Sequence, residues 1–394
     1  MCDSQQMYCV LLTALATHIP RAVFGDVRRL ATLAWAVIGL CSTQTVNFNR
    51  WGEVVISRAQ YASSHQRRFQ RWFHNAHIEP GAFYRALLQA ALATWVLGTR
   101  VYVALDTSVL PGGYVLIRTA LIYRGRAIPS AWRVFQHGSA TVGYTDYQVV
   151  LAQTRTALPP DLVVVLLADR GFLHRQLVEF ARQAGWHYRL RVKANTLVRL
   201  SSRQVVAVSQ LQPPVGAAHF YHGVRILGED IGPVHLALAT PAPEPGQELD
   251  PWYVVSDEPT EVGTLDEYGR RFDIEENLLD DKSNGFQVEA SQLDDAEAIS
   301  RLFLVLAVAT LHCTSVGVGV VKAKLRRWVD PHWDRGMSYL RIGWTWLRQQ
   351  HRRGWRTFAP FTLDPAPDPE PAIASRRQAA RPKRRWTVSC FHPP

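Results

Sequence analysis

Lysine is scarce in this chain: only five of its 44 basic residues are lysine, so guanidinium groups carry nearly all of the positive charge. Acidic residues number 33, which leaves a formal net charge of +11 and a pI of about 9.7. This excess indicates a polyanionic partner, because guanidinium forks suit bidentate contacts with phosphate. Cysteine is also rare. The five cysteines are far apart in sequence and never in C-x-x-C spacing, which argues against a disulfide scaffold or a structural zinc site.

A secretory signal is missing as well, because the first residues, MCDSQQ, place no basic region ahead of a hydrophobic stretch. We therefore expect a cytoplasmic protein. One apolar run, residues 302 to 321, is long enough to cross a membrane. Thr310, His312, Thr314 and Ser315 interrupt this run, so it predicts a buried helix that leads into a glycine-containing turn, and no membrane partner is expected.

The two signs of charge are unevenly distributed along the chain. Residues 225 to 300 hold 19 of the 33 acids and four basic residues, so this segment carries −15 and the remainder +26. An acidic patch within a basic body suits a metal-dependent enzyme that acts on nucleic acid, since carboxylates must hold cations beside a phosphate backbone. The alternative is an acidic, solvated surface.

Residues 1 to 97 predict a helical N-terminal domain that binds DNA. Its most basic segment, residues 63 to 73, reads SSHQRRFQRWF, with serine as the expected N-cap. Three arginines interleave there with aromatic rings: Arg67, Arg68 and Arg71. Such a helix can lie on DNA phosphates, and the alternative is a face of solvated arginines over packed aromatic side chains.

From residue 98 the pattern changes to strands and predicts an α/β fold. Candidate strands occupy residues 101 to 106, 114 to 123 and 127 to 135. A helix near 146 to 157, an apolar strand at 162 to 168, a helix at 172 to 184 and a strand at 186 to 193 follow. The order βββ-α-β-α-β is that of a ribonuclease H-like catalytic core, whose first part we assign to residues 98 to 195.

The rest of the chain predicts four further regions. We interpret residues 196 to 260 as an inserted β-domain, with strand-like pieces at 203 to 208, 234 to 240 and 252 to 256. Residues 261 to 325 predict the helical second part of the core, and residues 326 to 362 a C-terminal helical region rich in tryptophan and arginine. The tail from 363 to 394 is rich in proline and then basic, which predicts disorder.

Asp106 and Asp169 each follow a hydrophobic strand. The carboxyl ends of strands are where ligands bind in α/β sheets, and in the predicted topology these two strands are neighbours. The two carboxylates could therefore share a cation. The alternative is that each aspartate only begins a turn or caps a helix.

A third acidic position comes from helical spacing. The residues Tyr268, Arg271, Glu275 and Lys282 are separated by 3, 4 and 7 positions. At about 100° per residue these side chains share one face of a helix, so an acid is flanked by three groups that can contact phosphate. Glu276 is a competing carboxylate, but the spacing selects Glu275.

Together these pieces resemble the DDE transposases of bacterial insertion sequences, in the subgroup marked by Y-x2-R-x3-E-x6-K and called insertion-sequence family four. The matching segments, within residues 100 to 282, are VALDTS around Asp106, LADRGF around Asp169, RLRVK ending at Lys193, WYVVSDEP beginning at Trp252, and the helix from Tyr268 to Lys282. Phe272 departs from the pattern, because many members carry tryptophan after the arginine.

The resemblance implies two Mg²⁺ or Mn²⁺ ions held by Asp106, Asp169 and Glu275, which in-line phosphoryl transfer uses to activate the attacking and leaving oxygens. It also implies that Arg271 and Lys282, assisted by Tyr268, hold the terminal phosphate. Trp252 would stack on a flipped base while the transposon end is sealed as a hairpin, and its alternative role is a core aromatic. Further predicted DNA contacts are Arg191, Lys193, Arg170, Arg67, Arg68 and Arg71.

The implied activity is cut-and-paste transposition in the bacterial cytoplasm, at the nucleoid. The implied partner is double-stranded DNA, both the terminal inverted repeats and the target, bound by a homodimer. Two other functions remain open from the sequence. One is a ribonuclease H-like nuclease without strand transfer, and the other is a transposase-derived DNA-binding protein that is not catalytic.

Overall fold

The computed structural model describes residues 3–243, 248–279, 281–282, 286–350, 353–371 and 386–391. Within these residues the chain is a mixed α/β protein with one large sheet. The helices are α1 Asp3–His18, α2 Arg21–Phe24, α3 Val27–Thr43, α4 Phe48–Trp51, α5 Ala62–Phe73, α6 Pro80–Ala91, α7 Tyr144–Ala157, α8 Arg175–Ala184, α9 Val262–Gly269, α10 Phe272–Leu279, α11 Ala296–Lys322 and α12 Tyr339–Gln349. The strands are β1 Arg100–Leu110, β2 Tyr114–Tyr123, β3 Arg126–Gln136, β4 Val163–Ala168, β5 His187–Arg191, β6 Leu197–Arg199, β7 Val205–Ala207, β8 Ala217–Ile226, β9 Ile231–Ala239, β10 Trp252–Ser256 and β11 Thr387–Phe391.

The first five strands lie in the order β3-β2-β1-β4-β5. β2 is antiparallel to both β1 and β3, whereas β4 is parallel to β1 and β5 is parallel to β4. The parallel strands are joined through helices, because a parallel pair needs a long crossover. All five strands predicted between residues 101 and 193 are therefore present, with β1 at the centre of the group.

The segment predicted as an inserted β-domain, residues 196 to 260, holds the strands β6 to β10. They extend the same sheet, in the order β5-β10-β9-β8-β6-β7. β10 pairs antiparallel with β5, so it covers backbone groups that would otherwise form an open sheet edge. β6 and β8 were not predicted.

Two parts of the tail, residues 363–371 and 386–391, lie within the described residues and make defined contacts, where the sequence predicts disorder. Residues 387–391 form β11, which pairs in parallel with β8 over Ala217 to Tyr221. Upstream, the Tyr123 hydroxyl donates to the carbonyl of Asp364, and the backbone N–H of Leu363 donates to that of Ala91. The basic residues Arg376, Arg377, Arg381, Lys383, Arg384 and Arg385 lie outside the described residues.

The apolar run at 302 to 321 lies in α11, the one helix of the described residues that is long and apolar enough to cross a membrane. Within its most apolar window 94% of the residues are buried inside the protein. α11 is thus a core helix, as predicted, but it does not end at a glycine. Gly317 lies within it and faces the backbone of α12 at Tyr339 and Gly343, so small residues allow these two helices to approach closely.

The N-terminal helices share the core of α11. α3, α5 and α6 all pack against it. Arg301 on α11 is buried and donates hydrogen bonds to the carbonyls of Phe73 and Ile78. The basic helix α5 begins after Tyr61, which makes no side-chain capping bond, so the predicted serine cap is wrong.

Candidate active site

Two aspartates lie at matching positions along the neighbouring strands β1 and β4. In the parallel pairing of β1 and β4 the final matched residues are Leu105 and Ala168. The next residue of each strand is an aspartate, Asp106 on β1 and Asp169 directly after β4. Strand register therefore brings together two carboxylates that are 63 positions apart in sequence.

A third carboxylate reaches the same place through helix packing. Ala104, two residues before Asp106, lies on the same face of β1 and belongs to a buried cluster with Ile274 of α10. Three of the sheet residues in this cluster are alanines, Ala104, Ala120 and Ala127, so the helix can approach closely. The residue after Ile274 is Glu275, which α10 thereby carries to the aspartates.

Arg271 connects these carboxylates. Its Nη2 lies 2.6 Å from Oε1 of Glu275, and its Nη1 lies 3.7 Å from Oδ2 of Asp106. The Arg271 side chain is 4% exposed, whereas that of Glu275 is 46% exposed and can reach a ligand from solvent. The Nε of Arg271 is buried and has no hydrogen-bond partner among the described residues. One guanidinium thus lies between two candidate metal ligands and keeps a donor unused.

The predicted single helix from Tyr268 to Lys282 is divided in two. α9 ends at Gly269 and α10 begins at Phe272, and between them the backbone N–H groups of Arg271 and Asp273 bond three residues back rather than four. This tighter turn changes the angle between side chains. The four residues therefore do not share one face of a regular helix, although Tyr268, Arg271 and Glu275 all contact the site.

Tyr268 and Arg191 lie against the second aspartate. The Tyr268 hydroxyl donates to Oδ1 of Asp169 at 3.4 Å. Nη1 of Arg191 lies 3.9 Å from the same oxygen, and its Nη2 pairs with Asp250 and donates to the carbonyl of Pro251. Arg191 was predicted to contact DNA, but its side chain is 6% exposed and faces carboxylates.

Burial and charge set the protonation of this site. Burial, assisted by the carboxylates of Glu275 and Asp169, raises the pKa of Asp106 to about 6, while Thr107 N–H and Arg271 oppose the increase. Burial likewise raises the pKa of Tyr268 to about 12, so its hydroxyl stays a donor at neutral pH. The site favours a bound cation, which would relieve the repulsion among its carboxylates.

Glu276 pairs with a residue outside the group of Asp106, Asp169 and Glu275. Its Oε2 pairs with Nη1 of Arg126 on β3 at 2.5 Å, and its side chain is 56% exposed. Glu275 is instead held by Arg271. Glu275, and not Glu276, is therefore the glutamate that pairs with Arg271.

The remaining predicted contacts are dispersed. Lys282 is half-buried and forms no ion pair within the described part of the chain. Arg170, Lys193, Arg67 and Arg71 are exposed, and Arg68 donates to the hydroxyl of Thr32. None of these six has a described salt bridge to Asp106, Asp169 or Glu275.

Trp252 belongs to an aromatic cluster next to Tyr268. Its ring centroid lies 5.5 Å from that of Tyr268 and 5.8 Å from that of Phe272. The cluster borders a cavity of about 310 Å³, and Trp386 from the C-terminal tail also lines it. Trp252 is buried, at 9% exposure, yet the cavity beside it leaves room for a ligand.

A network of charged groups that sequence reasoning missed fixes α9 against the sheet. Glu267 on α9 accepts hydrogen bonds from Arg100 and Tyr102 of β1 and from Arg189 of β5. Glu258 pairs with both of these arginines. The excess of acid in residues 225 to 300 was the available signal. Part of that charge therefore serves to position α9, and not to bind metal.

His187, Asp257 and Glu258 form the one other group of potential metal ligands found among the described residues. Glu258 is already paired with Arg100 and Arg189, and Nδ1 of His187 bonds Oδ2 of Asp257 at 2.7 Å. These pairings account for the group as part of the same charged network.

No protein-family model matches the chain, and comparison with curated proteins finds no match. Among solved structures, the cryo-EM structure of a piggyBac transposase synaptic complex with hairpin DNA is similar at 9% identity and a TM-score of 0.44. The match covers 90% of this chain and 82% of that one. Because this TM-score is too low to establish a shared fold, we rest the function on the chain's own residues.

Proposed function

We propose that this chain is a DDE transposase: a metal-dependent enzyme that cleaves the ends of a mobile DNA element and joins them to target DNA. The observation that carries the proposal is the convergence of Asp106, Asp169 and Glu275 around Arg271 and Tyr268. The strand order β3-β2-β1-β4-β5 supports a ribonuclease H-like core, and the pattern Y-x2-R-x3-E-x6-K supports insertion-sequence family four.

The donor set fits a divalent cation with oxygen ligands. All three candidate ligands are carboxylates, which suit Mg²⁺ or Mn²⁺ better than zinc. The raised pKa of Asp106 reflects burial together with two neighbouring carboxylates, a cost that a cation would offset. Two such ions would supply activation of the attacking oxygen and stabilisation of the leaving oxygen.

The chain's own residues have separate roles in this proposal. Asp106 and Asp169 would hold the cations from the sheet, while Glu275 would complete the ligand set from α10. Arg271 orients Glu275 and supplies positive charge beside the carboxylates, which favours binding of a phosphate there. Tyr268 keeps its proton at neutral pH and donates to Asp169, which fixes the orientation of that carboxylate.

The site can be tested with a linear DNA that carries an end of the element, incubated in Mg²⁺ and resolved on a denaturing gel. Asp106→Asn, Asp169→Asn and Glu275→Gln should each abolish cleavage, because each removes a charged ligand, while binding of the DNA end stays within about twofold. Full cleavage by any of the three variants would remove that residue from the site.

Glu276→Gln is the matched control, because it makes the same chemical change one residue away, at a side chain paired with Arg126. Its cleavage should stay close to that of the wild type. If this variant were inactive and Glu275→Gln active, the assignment of the third ligand would be reversed.

The products distinguish transposition from simple nicking. With a labelled end, we expect nicked and hairpin species in turn, and then joining to a target plasmid. If Trp252 supports a flipped base, Trp252→Ala should lower the hairpin about tenfold while nicks accumulate, since stacking is worth roughly 1–3 kcal/mol per base. Cleavage without hairpin or joined product would indicate a nuclease, and binding without any cleavage a non-catalytic DNA-binding protein.

A further inference from the structure

The C-terminal strand β11 places a tryptophan beside the candidate active site. Trp386 directly precedes β11 and packs against the cluster that contains Trp252, Leu265 and Tyr268. The far end of the strand is fixed by Phe391, whose ring stacks on Tyr221 at 4.5 Å with an interplanar angle of 6°. Five backbone pairings with β8 lie between these ends. The position of Trp386 is therefore determined by the sheet.

The cavity that Trp386 helps to form has three aromatic walls. Trp252, Phe272 and Trp386 line it, with Leu265 and Gly269 completing the apolar surface. A Cβ added at Gly269 would lie 3.6 Å from the Trp252 ring, in van der Waals contact with it. Because glycine has no side chain, this part of the cavity lining stays open. The volume of about 310 Å³ is at the lower limit for ligand sites, which suits one planar ring system.

The polar groups around the cavity favour a nucleobase over a phosphate. Asp266 is the charged residue of its lining, and a carboxylate repels phosphate but accepts a hydrogen bond from the N–H groups of a base. The cavity also adjoins the catalytic residues, because Trp252 contacts Tyr268, which bonds Asp169. An unstacked base of DNA bound at the carboxylates could enter it.

We propose that Trp386 is a positioning residue: it lines this cavity together with Trp252, and the C-terminal strand thereby completes the site that holds one unstacked nucleobase of the DNA end. This inference rests on the proposed function, since it takes the bound polymer to be DNA. It adds to that function a residue from the far end of the chain and a dependence of base binding on β11.

The test measures binding without chemistry. The full chain is titrated in EDTA with a duplex that ends in a single unpaired adenine, and with the same duplex carrying an abasic nucleotide there. Wild type should bind the adenine probe at least about fivefold more tightly, the smaller effect expected for one base on an aromatic ring. Trp386→Ala and Trp386→Leu should lose this preference, whereas Trp386→Phe should keep most of it.

Three controls keep the outcome decisive. Trp333→Ala removes a tryptophan that is 73% exposed and lies outside the cavity lining, and should leave the preference intact. Thermal unfolding identifies any variant that fails to fold. If Trp386→Ala does not fold, the base preferences of Trp386→Leu and Trp386→Phe are compared instead, since both side chains retain apolar packing. With 2-aminopurine in place of the adenine, its fluorescence should be quenched on binding to wild type and not to Trp386→Leu.

Three results would overturn the inference: an equal preference in wild type and Trp386→Leu, no preference in wild type, or tighter binding of both probes by Trp386→Ala, which would make Trp386 a cover over the site. These outcomes are independent of catalysis. If Trp386→Leu loses the base preference of the wild type, and cleavage depends on Asp106, Asp169 and Glu275, both proposals are supported. If the wild type shows the base preference but no metal-dependent cleavage, only the proposed function is contradicted.

Discussion

Nη1 of Arg118 and Oδ2 of Asp281 form an ion pair of 2.5 Å in which both side chains are almost inaccessible to solvent. Arg118 lies on β2, where it is the cross-strand partner of Asp106 on β1. Asp281 follows α10. The same guanidinium nitrogen also donates to Asn277 of α10. This pair therefore fixes the helix that carries Glu275 to the strand that neighbours Asp106.

Breaking this pair should destabilise the protein strongly. Arg118→Met leaves the carboxylate of Asp281 buried without its counter-charge, and we expect a decrease of about 3–5 kcal/mol in the free energy of unfolding, measured with urea. Arg118→Met combined with Asp281→Leu should recover much of this stability. Breaking the exposed pair of Arg175 and Glu179 should cost less than about 1 kcal/mol, and similar decreases at both pairs would contradict this account.

The raised pKa of Asp106 predicts how stability depends on pH in metal-free protein. The folded protein holds this proton more tightly than the unfolded chain does. The free energy of unfolding should therefore fall as pH rises from about 4 to about 6, and it should remain at the lower value above pH 6. Asp106→Asn removes this cost and should be more stable than wild type at pH 7, by on the order of 2 kcal/mol. Thermal unfolding across pH in EDTA measures the difference.

Mg²⁺ should make the wild type more stable than Asp106→Asn at pH 7. A cation needs the ionised carboxylate, so it should raise the unfolding temperature of wild type above pH 6 more than below it. Asp106→Asn should show little change at either pH. An equal effect of Mg²⁺ on both proteins would mean that the ion stabilises the fold from another site.

The six basic residues from Arg376 to Arg385 should contribute affinity for DNA without sequence preference. Changing all six to glutamine should make the dependence of binding on salt shallower, by up to about 0.9 in the log–log slope for each phosphate that the tail no longer neutralises. Specific recognition of the element's end should persist. Substitution is preferable to deleting residues 371 to 394, because the deletion would also remove Trp386 and β11. An unchanged slope would mean that the tail does not bind DNA.

The close approach of α11 and α12 should not tolerate a side chain. A Cβ at Gly317 would collide with the carbonyl of Tyr339, which is backbone and cannot turn aside. Gly317→Ala should therefore destabilise the protein by roughly 1–3 kcal/mol. Gly138→Ala places the same methyl group in open space and should be near neutral. Equal unfolding midpoints for the two variants would show that the helices can separate without cost.

Much of the central sheet could be predicted because its strands carry local signals. β2 and β4 are apolar and lie close to their predicted bounds, whereas β1 continues to Leu110, beyond its predicted end at Asp106. The two aspartates followed from strand order. The break between α9 and α10 was missed because the pattern of contacting residues continues through it, although Gly269 was an available sign of a helix end.

Features fixed by distant pairing could not be predicted. β11 has five residues after a basic segment, so its composition favours disorder, and its stability comes from β8, about 170 positions earlier in the chain. The pairing of Arg118 with Asp281 spans 163 positions, and neither residue stands in a recognisable motif. The pairing of β10 with β5 likewise could not be predicted, because the sequence does not show that β5 offers the open edge of the first five strands.

The packing of α3, α5 and α6 on α11 has a consequence for how this protein can be modified. A boundary at residue 97 divides the polypeptide by sequence but not by core, because Arg301 and the apolar residues of α11 contact helices on the other side of it. Exchange of the first 97 residues with those of a homologue would place mismatched surfaces against α11. A chimaera with altered DNA recognition would have to carry α11 with the N-terminal helices, so the unit of exchange is discontinuous in the gene.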